Sequence, residues 1–286
     1  MFRFPIICGG GIGDSLLKIA AVPVERWGRL GLRFNIFYDT KDHPAGIILK
    51  DLFENINYCQ FVQRKPNKIE YRIRNIWSKH IIKTSKIFAP PINLLEDALP
   101  NLKAKAPRLL VQSHLDGHHG WKGATAKMWS VERWCEFCKS IHNRGWDVAV
   151  LEWNPESLAA LQKSCPFIQD ARKSNFSETI CSFRNYQCMV SVDSWSKYVA
   201  AWWKIPQVVI VPNLRIGYTP DFERISAEQI ATQWFRGLTD APNIRLVGLE
   251  RIDGHFNFTL PSIHHLDVLE LIKAVEFVLR PHPKIL

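Results

Sequence analysis

Short apolar runs alternate with segments of helical period along almost the whole chain. Phe4-Pro5-Ile6-Ile7 is followed by Leu16, Leu17, Ala20 and Ala21 at helical spacing, which predicts a strand and then a helix over 15–30. The pattern continues with a strand at 33–38, a helix at 43–55 and a strand at 59–62. Ala98 to Pro107 breaks it, with two prolines, small residues and little periodicity. That stretch reads as a linker and divides the chain into 1–106 and 107–286. Beyond it, strands are expected at 108–112, 147–152, 167–168, 188–192 and 207–211. The helices between them are expected at 130–144, 155–164, 177–184 and 194–204. Residues 213–262 show no clear period, and a final helix at 266–279 must stop before Pro281. Repeated β-α-β alternation makes the chain an α/β protein with parallel sheets.

The first strand runs into Gly9-Gly10-Gly11-Ile12-Gly13-Asp14 before the first helix, and a strand-to-helix turn is where α/β proteins bind ligands. It is not a dinucleotide fingerprint, since Asp14 takes the place of the third glycine, and it lacks the Gly-Lys-Ser/Thr of a phosphate loop. Two parts are open to Asp14. It can cap the helix, or it can take a proton from a substrate hydroxyl. A second such turn, Val192-Asp193-Ser194-Trp195-Ser196, ends the strand at 188–192. If a helix starts at once, the amides of Ser194, Trp195 and Ser196 form an anion site that suits a diphosphate, whereas Asp193 and Ser194 can equally be an ordinary N-cap.

Charge sharpens this picture. Residues 1–106 hold 17 Lys+Arg against 9 Asp+Glu, so most of the net +10 lies in the first half. Arg64, Lys65, Lys68, Arg72, Arg74, Lys79, Lys83 and Lys86 are opposed within 64–86 by Glu70 alone, while Ile69, Ile73, Ile76, Trp77 and Ile81 share a helical face. Such a basic amphipathic helix is a solvated face, or it meets an anionic acceptor, nucleic acid or a membrane surface. Seven cysteines, an odd number, argue for reduced thiols, and the amino terminus lacks a secretory apolar core, so the protein is expected in the cytoplasm. Metal readings of His114, His118 and His119, or of Cys135 with Cys138, are weak, because no second pair follows at ligand spacing. A hydrolase nucleophile elbow is absent.

Three blocks together resemble the family 9 glycosyltransferases, which include bacterial heptosyltransferases. They are Gly11-Ile12-Gly13-Asp14-Ser15-Leu16-Leu17, Lys127-Met128-Trp129-Ser130-Val131-Glu132-Arg133-Trp134, and Ser191-Val192-Asp193-Ser194 with Ile205-Pro206. The resemblance implies a GT-B architecture, two Rossmann-like domains facing across a cleft, with an acceptor bound by the first and a nucleotide sugar by the second. It assigns the base to Asp14, the diphosphate to Lys127, and donor binding to Asp193 with Ser194 and the adjoining Trp195 and Ser196. Trp195 stands where the family usually has Gly, and Tyr198 where it usually has His. By the logic of strand-end carboxylates, Glu152 is the candidate for the nucleoside ribose.

Gly11, Gly13, Arg72 and Arg74 are expected on the acceptor side, facing an anionic glycan or glycolipid. Inverting transfer of a sugar, a heptose by resemblance, needs no metal or other cofactor here, because Lys127 and helix amides can stabilise the leaving diphosphate. Peripheral contact with the inner membrane face is compatible with the basic half, and nucleic acid is not an expected partner. Two rivals stand beside this reading. One is an inactive transferase fold that binds nucleic acid or a membrane surface through its basic half. The other is a nicotinamide oxidoreductase, ranked last because Asp14 would repel a pyrophosphate.

Overall fold

The computed structural model describes residues 3–8, 15–16, 18–19, 22, 24–38, 44–53, 57–73, 106–113, 127–213, 225–235 and 237–280. The chain divides into two compact units, Met1–Leu99 and Pro100–Leu286. The glycine turn with Gly11, Gly13 and Asp14, the residues from Arg74 to 105, and the histidines at 114, 118 and 119 lie outside the described residues.

In the first unit, β1 (Phe4–Cys8), β2 (Phe34–Tyr38) and β3 (Cys59–Val62) form a parallel sheet in the order β1-β2-β3. Helices α1 (Val24–Arg29) and α2 (Pro44–Phe53) connect them. Parallel strands are covered on both faces, which is why Phe34, Ile36 and Phe37 of β2 are all buried, with Leu49 and Phe53 of α2 also in the core. The predicted basic helix starts later than expected. Helical backbone begins at 68, because Asn67 Oδ1 accepts from the amides of Ile69 and Glu70 at 3.0 and 2.9 Å. Arg64 stays outside the helix, donating to both carboxylate oxygens of Glu70 at 2.9 and 2.8 Å and lying over the Phe37 ring.

The second unit is a complete doubly wound sheet. Its strands are β4 (Arg108–Gln112), β5 (Asp147–Val150), β6 (Gln169–Asp170), β7 (Cys188–Val192), β8 (Gln207–Ile210) and β9 (Ile244–Val247), all parallel, in the order β6-β5-β4-β7-β8-β9. Numbered from β4, this is the 3-2-1-4-5-6 order of dinucleotide-binding folds. Helices α3 (Val131–His142), α4 (Pro155–Ser164), α5 (Phe176–Ser182), α6 (Ser196–Trp202) and α7 (Ala227–Trp234) join the strands, and α8 (Val268–Val278) closes the unit. Five starts are set by side-chain caps: Ser130, Asn154 and Asn175 at α3 to α5, a capping box of Ser226 and Gln229 at α7, and Asp267 at α8.

Three expectations are corrected. The strand expected at 167–168 lies at Gln169–Asp170, because Ile168 is buried and Phe167 stacks on His142, their ring centroids 4.0 Å apart. The helix expected from 194 begins at Ser196. The stretch 213–262 also holds α7, β9 and a hairpin of β10 (Leu249–Ile252) and β11 (His255–Phe258), where Gly248 takes φ +95 at the turn from β9 into β10.

The core between the sheet and the pair α3 and α8 is built on Trp134, Phe137, Cys138 and Ile141 against Leu271, Ile272 and Val275. Trp129 meets Trp134 edge-on, centroids 5.0 Å apart at 82°, and Trp134 meets Phe137 in the same way. Cys135 and Cys138 are therefore packing groups, and burial pushes the Cys138 thiol well above its usual range. Trp134→Ala is expected to cost about 3–5 kcal/mol, read as a lower urea midpoint at unchanged slope.

Candidate functional site

In an open parallel sheet the carboxyl ends of all strands share one edge, and ligands bind there where the strand order reverses. In the second unit the reversal falls between β4 and β7. The chain leaves β4 through Gln112 and Ser113, and leaves β7 through Asp193 and Ser194. Polar groups are gathered at this point.

The Gln112 side chain bridges the two strand ends. Its Nε2 donates to Ser194 Oγ at 2.9 Å, and its Oε1 accepts from Ser196 Oγ. Both ends of one buried amide thus hold the turn from β7 into α6. Ser113 Oγ donates to Glu152 Oε2 at 2.8 Å, and the amide of Asn154 donates to Glu152 Oε1 at 3.2 Å. Glu152 is buried two residues past β5. Beside it, half-exposed Trp153 stacks on Phe176.

Asp193 is shared by two lysines. Lys127 Nζ donates to Asp193 Oδ2 at 2.8 Å and to the Asp193 carbonyl at 3.1 Å, while Lys197 Nζ donates to Asp193 Oδ1. Burial alone would raise the carboxyl pKa, but the Lys127 and Lys197 ammonium groups overcome it and hold the group well below the usual carboxylate range. The two cations differ in setting. The Lys127 side chain is 14% exposed, whereas that of Lys197 is 5% exposed and its ammonium lies over the rings of Tyr198 and Phe235 at 4.5 and 4.7 Å.

Of the residues read from sequence, Lys127, Asp193, Ser194, Ser196 and Glu152 stand at this edge. The N-cap alternative for Asp193 does not hold, because its carboxylate goes to the lysines and α6 has Trp195 as an N-cap without a side-chain bond. The amides of Ser194 and Trp195 precede the helix. The Trp195 ring is buried against Phe176 and Phe183 at 4.8 and 5.8 Å. Arg72 is exposed in the first unit. Sequence reasoning missed Lys197, Gln112 and Ser113; the Asp193-to-Lys197 spacing of four, from the strand end into the helix, was the available signal. Among the described residues no group of three His, Cys, Asp or Glu side chains is arranged to hold a metal ion, and no helix is long and apolar enough to cross a membrane.

No protein-family model and no curated protein matches the chain. Solved structures do. The E. coli heptosyltransferase WaaC with ADP-2-deoxy-2-fluoro heptose is 12% identical at TM-score 0.54, over 96% of this chain and 99% of that one. The E. coli ADP-heptose LPS heptosyltransferase II is 14% identical at 0.55, over 97% and 98%. A glycosyl transferase family 9 structure from Veillonella parvula DSM 2008 is 12% identical at 0.58, over 97% of each chain. The fold is the GT-B glycosyltransferase fold. On this GT-B chain the strand-order reversal of the second unit carries the Lys127, Asp193 and Lys197 cluster.

Asp193→Asn removes the negative partner of two enclosed ammonium groups and is expected to cost about 3–5 kcal/mol in urea unfolding. The folded-state pKa of Asp193 is depressed, so this stabilisation is present above the unfolded value near 4 and is lost as pH falls toward the folded value. The gap between wild type and variant should therefore be constant near neutrality and narrow below about pH 4.

Proposed function

We propose that the chain is an inverting glycosyltransferase that moves a sugar, a heptose by likeness, from a nucleotide-sugar donor to a hydroxyl of an anionic glycan or glycolipid. The observation that carries this reading is the coincidence of the Lys127–Asp193 pair with the strand-order reversal of the second unit. A cation at that edge suits the charge that develops on a leaving diphosphate. Glu152, fixed by Ser113 and the Asn154 amide, suits a ribose hydroxyl, and Trp153 offers an aromatic surface beside it for the base.

Asp14 is the proposed base. It removes the acceptor proton as the acceptor oxygen bonds to the anomeric carbon and the bond to the diphosphate breaks, so the configuration inverts. The first unit is the acceptor side in this reading. Gly11 and Gly13 are assigned to that side with Asp14, and Lys65, Lys68 and Arg72 are exposed with Ile69 and Tyr71 on the segment that would face the anionic acceptor, with Arg74 next in sequence. The step uses protein cations for the leaving group. The site of action is the cytoplasm, peripherally at the inner membrane face, where a glycolipid acceptor would present its head group.

A thermal-shift screen of nucleotide sugars tests the reading. The true donor at about 100 times its dissociation constant should stabilise the protein by about 2.7 kcal/mol. No stabilisation by any donor, together with salt-sensitive binding to RNA or anionic vesicles, would point instead to an inactive transferase fold.

With the donor in hand, Asp14→Asn should lower turnover by roughly 10²–10⁴ with little change in donor affinity. Lys127→Ala should lower turnover more than donor affinity, because the leaving group is more negative in the transition state than in the ground state. Single-turnover kinetics against equilibrium titration separates the two effects.

A further inference from the structure

The sharing of one carboxylate by two unlike lysines asks what happens to Asp193 when Lys127 meets a phosphate. The Lys127 ammonium donates twice to Asp193, to the side chain at 2.8 Å and to the main chain at 3.1 Å. Whichever of its three N–H groups serves a diphosphate, the added anion competes with Asp193 for the one positive charge of that ammonium. Asp193 is itself buried, and a buried carboxylate that loses its cation takes up a proton.

Lys197 is placed to prevent that. It lies four residues on from Asp193, its side chain is as enclosed as the carboxylate, and the rings of Tyr198 and Phe235 pack on its ammonium. Its main-chain carbonyl accepts from Gln207 Nε2 at 3.0 Å, and Tyr198 is anchored by donating its phenol to the Trp234 carbonyl at 2.6 Å. These restraints come from α6, β8 and the end of α7 and are independent of Lys127.

We infer that Lys197 is a positioning residue: it keeps Asp193 ionised and in place while Lys127 exchanges Asp193 for the donor's diphosphate. The inference rests on the glycosyl-transfer reading above. Lys127 approaches the carboxylate from the segment before α3 and Lys197 from α6. From the end of β4 come the neutral Gln112 and Ser113, and Glu152, the acid two residues past β5, is engaged by Ser113 and the Asn154 amide. Tyr198 faces Lys197 and is engaged with Trp234.

The test is the proton balance of diphosphate binding, measured by titration calorimetry in buffers of different ionisation heat. The probes are inorganic pyrophosphate and the four common nucleoside diphosphates, taken from mildly acid to mildly alkaline pH. Wild type should take up no proton beyond the titration of the ligand itself. In Lys197→Met, giving Lys127 to the phosphate leaves Asp193 with neither of the two cations that hold it among the described residues. Binding should then take up about one further proton, and affinity relative to wild type should fall by up to about tenfold per pH unit as pH rises. Adding Asp193→Asn to that variant should abolish the extra uptake.

A merely structural Lys197 would weaken binding equally at every pH, and equal proton counts in wild type and Lys197→Met overturn the inference. Should Lys197→Met not fold, wild type alone decides: uptake of a proton in alkaline solution, where the nucleoside diphosphates are fully ionised, contradicts a permanently ionised Asp193. Failure of every probe to bind wild type sinks the donor reading, and the inference with it. Binding without the difference sinks the inference alone.

Discussion

A strand of a parallel sheet reaches its parallel neighbour only through a crossover, so all carboxyl ends emerge at one edge. Where crossovers turn to opposite faces, the connections leaving two adjacent paired strands diverge and leave a crevice. That constraint governs the second unit. Its central strands are enclosed, with Leu109, Leu110 and Val111 of β4 and Met189, Val190 and Val192 of β7 all buried, so their polar chemistry is concentrated past their carboxyl ends. Gln112, Ser113, Asp193 and Ser194 are the first residues beyond, or at, those ends, and Glu152 holds the matching place after β5. The crevice is a product of topology; its charge is a choice of side chains.

That charge is costly. An enclosed ion cluster contributes little net stability compared with well-packed apolar groups of similar size, although breaking it is expensive. Asp193 and its lysines are thus explained poorly by stability and well by use. Their precision depends on the core next to them. Lys127 lies two residues before buried Trp129 and three before Ser130, the N-cap of α3, so the Trp129 and Trp134 contact fixes the point from which the lysine reaches Asp193. Packing between α3 and the sheet is transmitted directly to the site.

The architecture was legible wherever apolar runs were long enough to carry a period. Strands at Arg108, Cys188 and Gln207, and helices at Val131, Pro155 and Val268, lie close to their expected places because buried parallel strands read as continuous apolar runs and capped helices as amphipathic ones. β6 was misplaced because a two-residue edge strand has no period, and Phe167-Ile168 is apolar for packing reasons. Lys127 and Asp193 were singled out by motif as separate groups, and in the structure they are hydrogen-bonded partners. Lys197 was hidden because a lysine four residues after an aspartate at an expected helix start reads as a surface pair, and only tertiary packing encloses it. Gln112 was passed over as the polar end of a strand. Asp14, the residue the sequence argument valued most, lies outside the described residues.

The two departures from the family pattern have physical uses in this chain. Trp195 takes φ −60 and ψ −30, an ordinary right-handed backbone that makes no demand for glycine, and its ring fills the space against Phe176 and Phe183. Tyr198 places its hydroxyl on the Trp234 carbonyl at the end of α7, one of the main-chain acceptors a helix cannot satisfy internally. Its ring also lies under the Lys197 ammonium. A histidine in that place could become cationic against Lys197, whereas a phenol ring attracts the ammonium and stays neutral across the physiological range. Lys197 and Tyr198 therefore work as a pair: the aromatic ring makes an enclosed second lysine tolerable, and that lysine bonds the carboxylate oxygen of Asp193 that Lys127 does not.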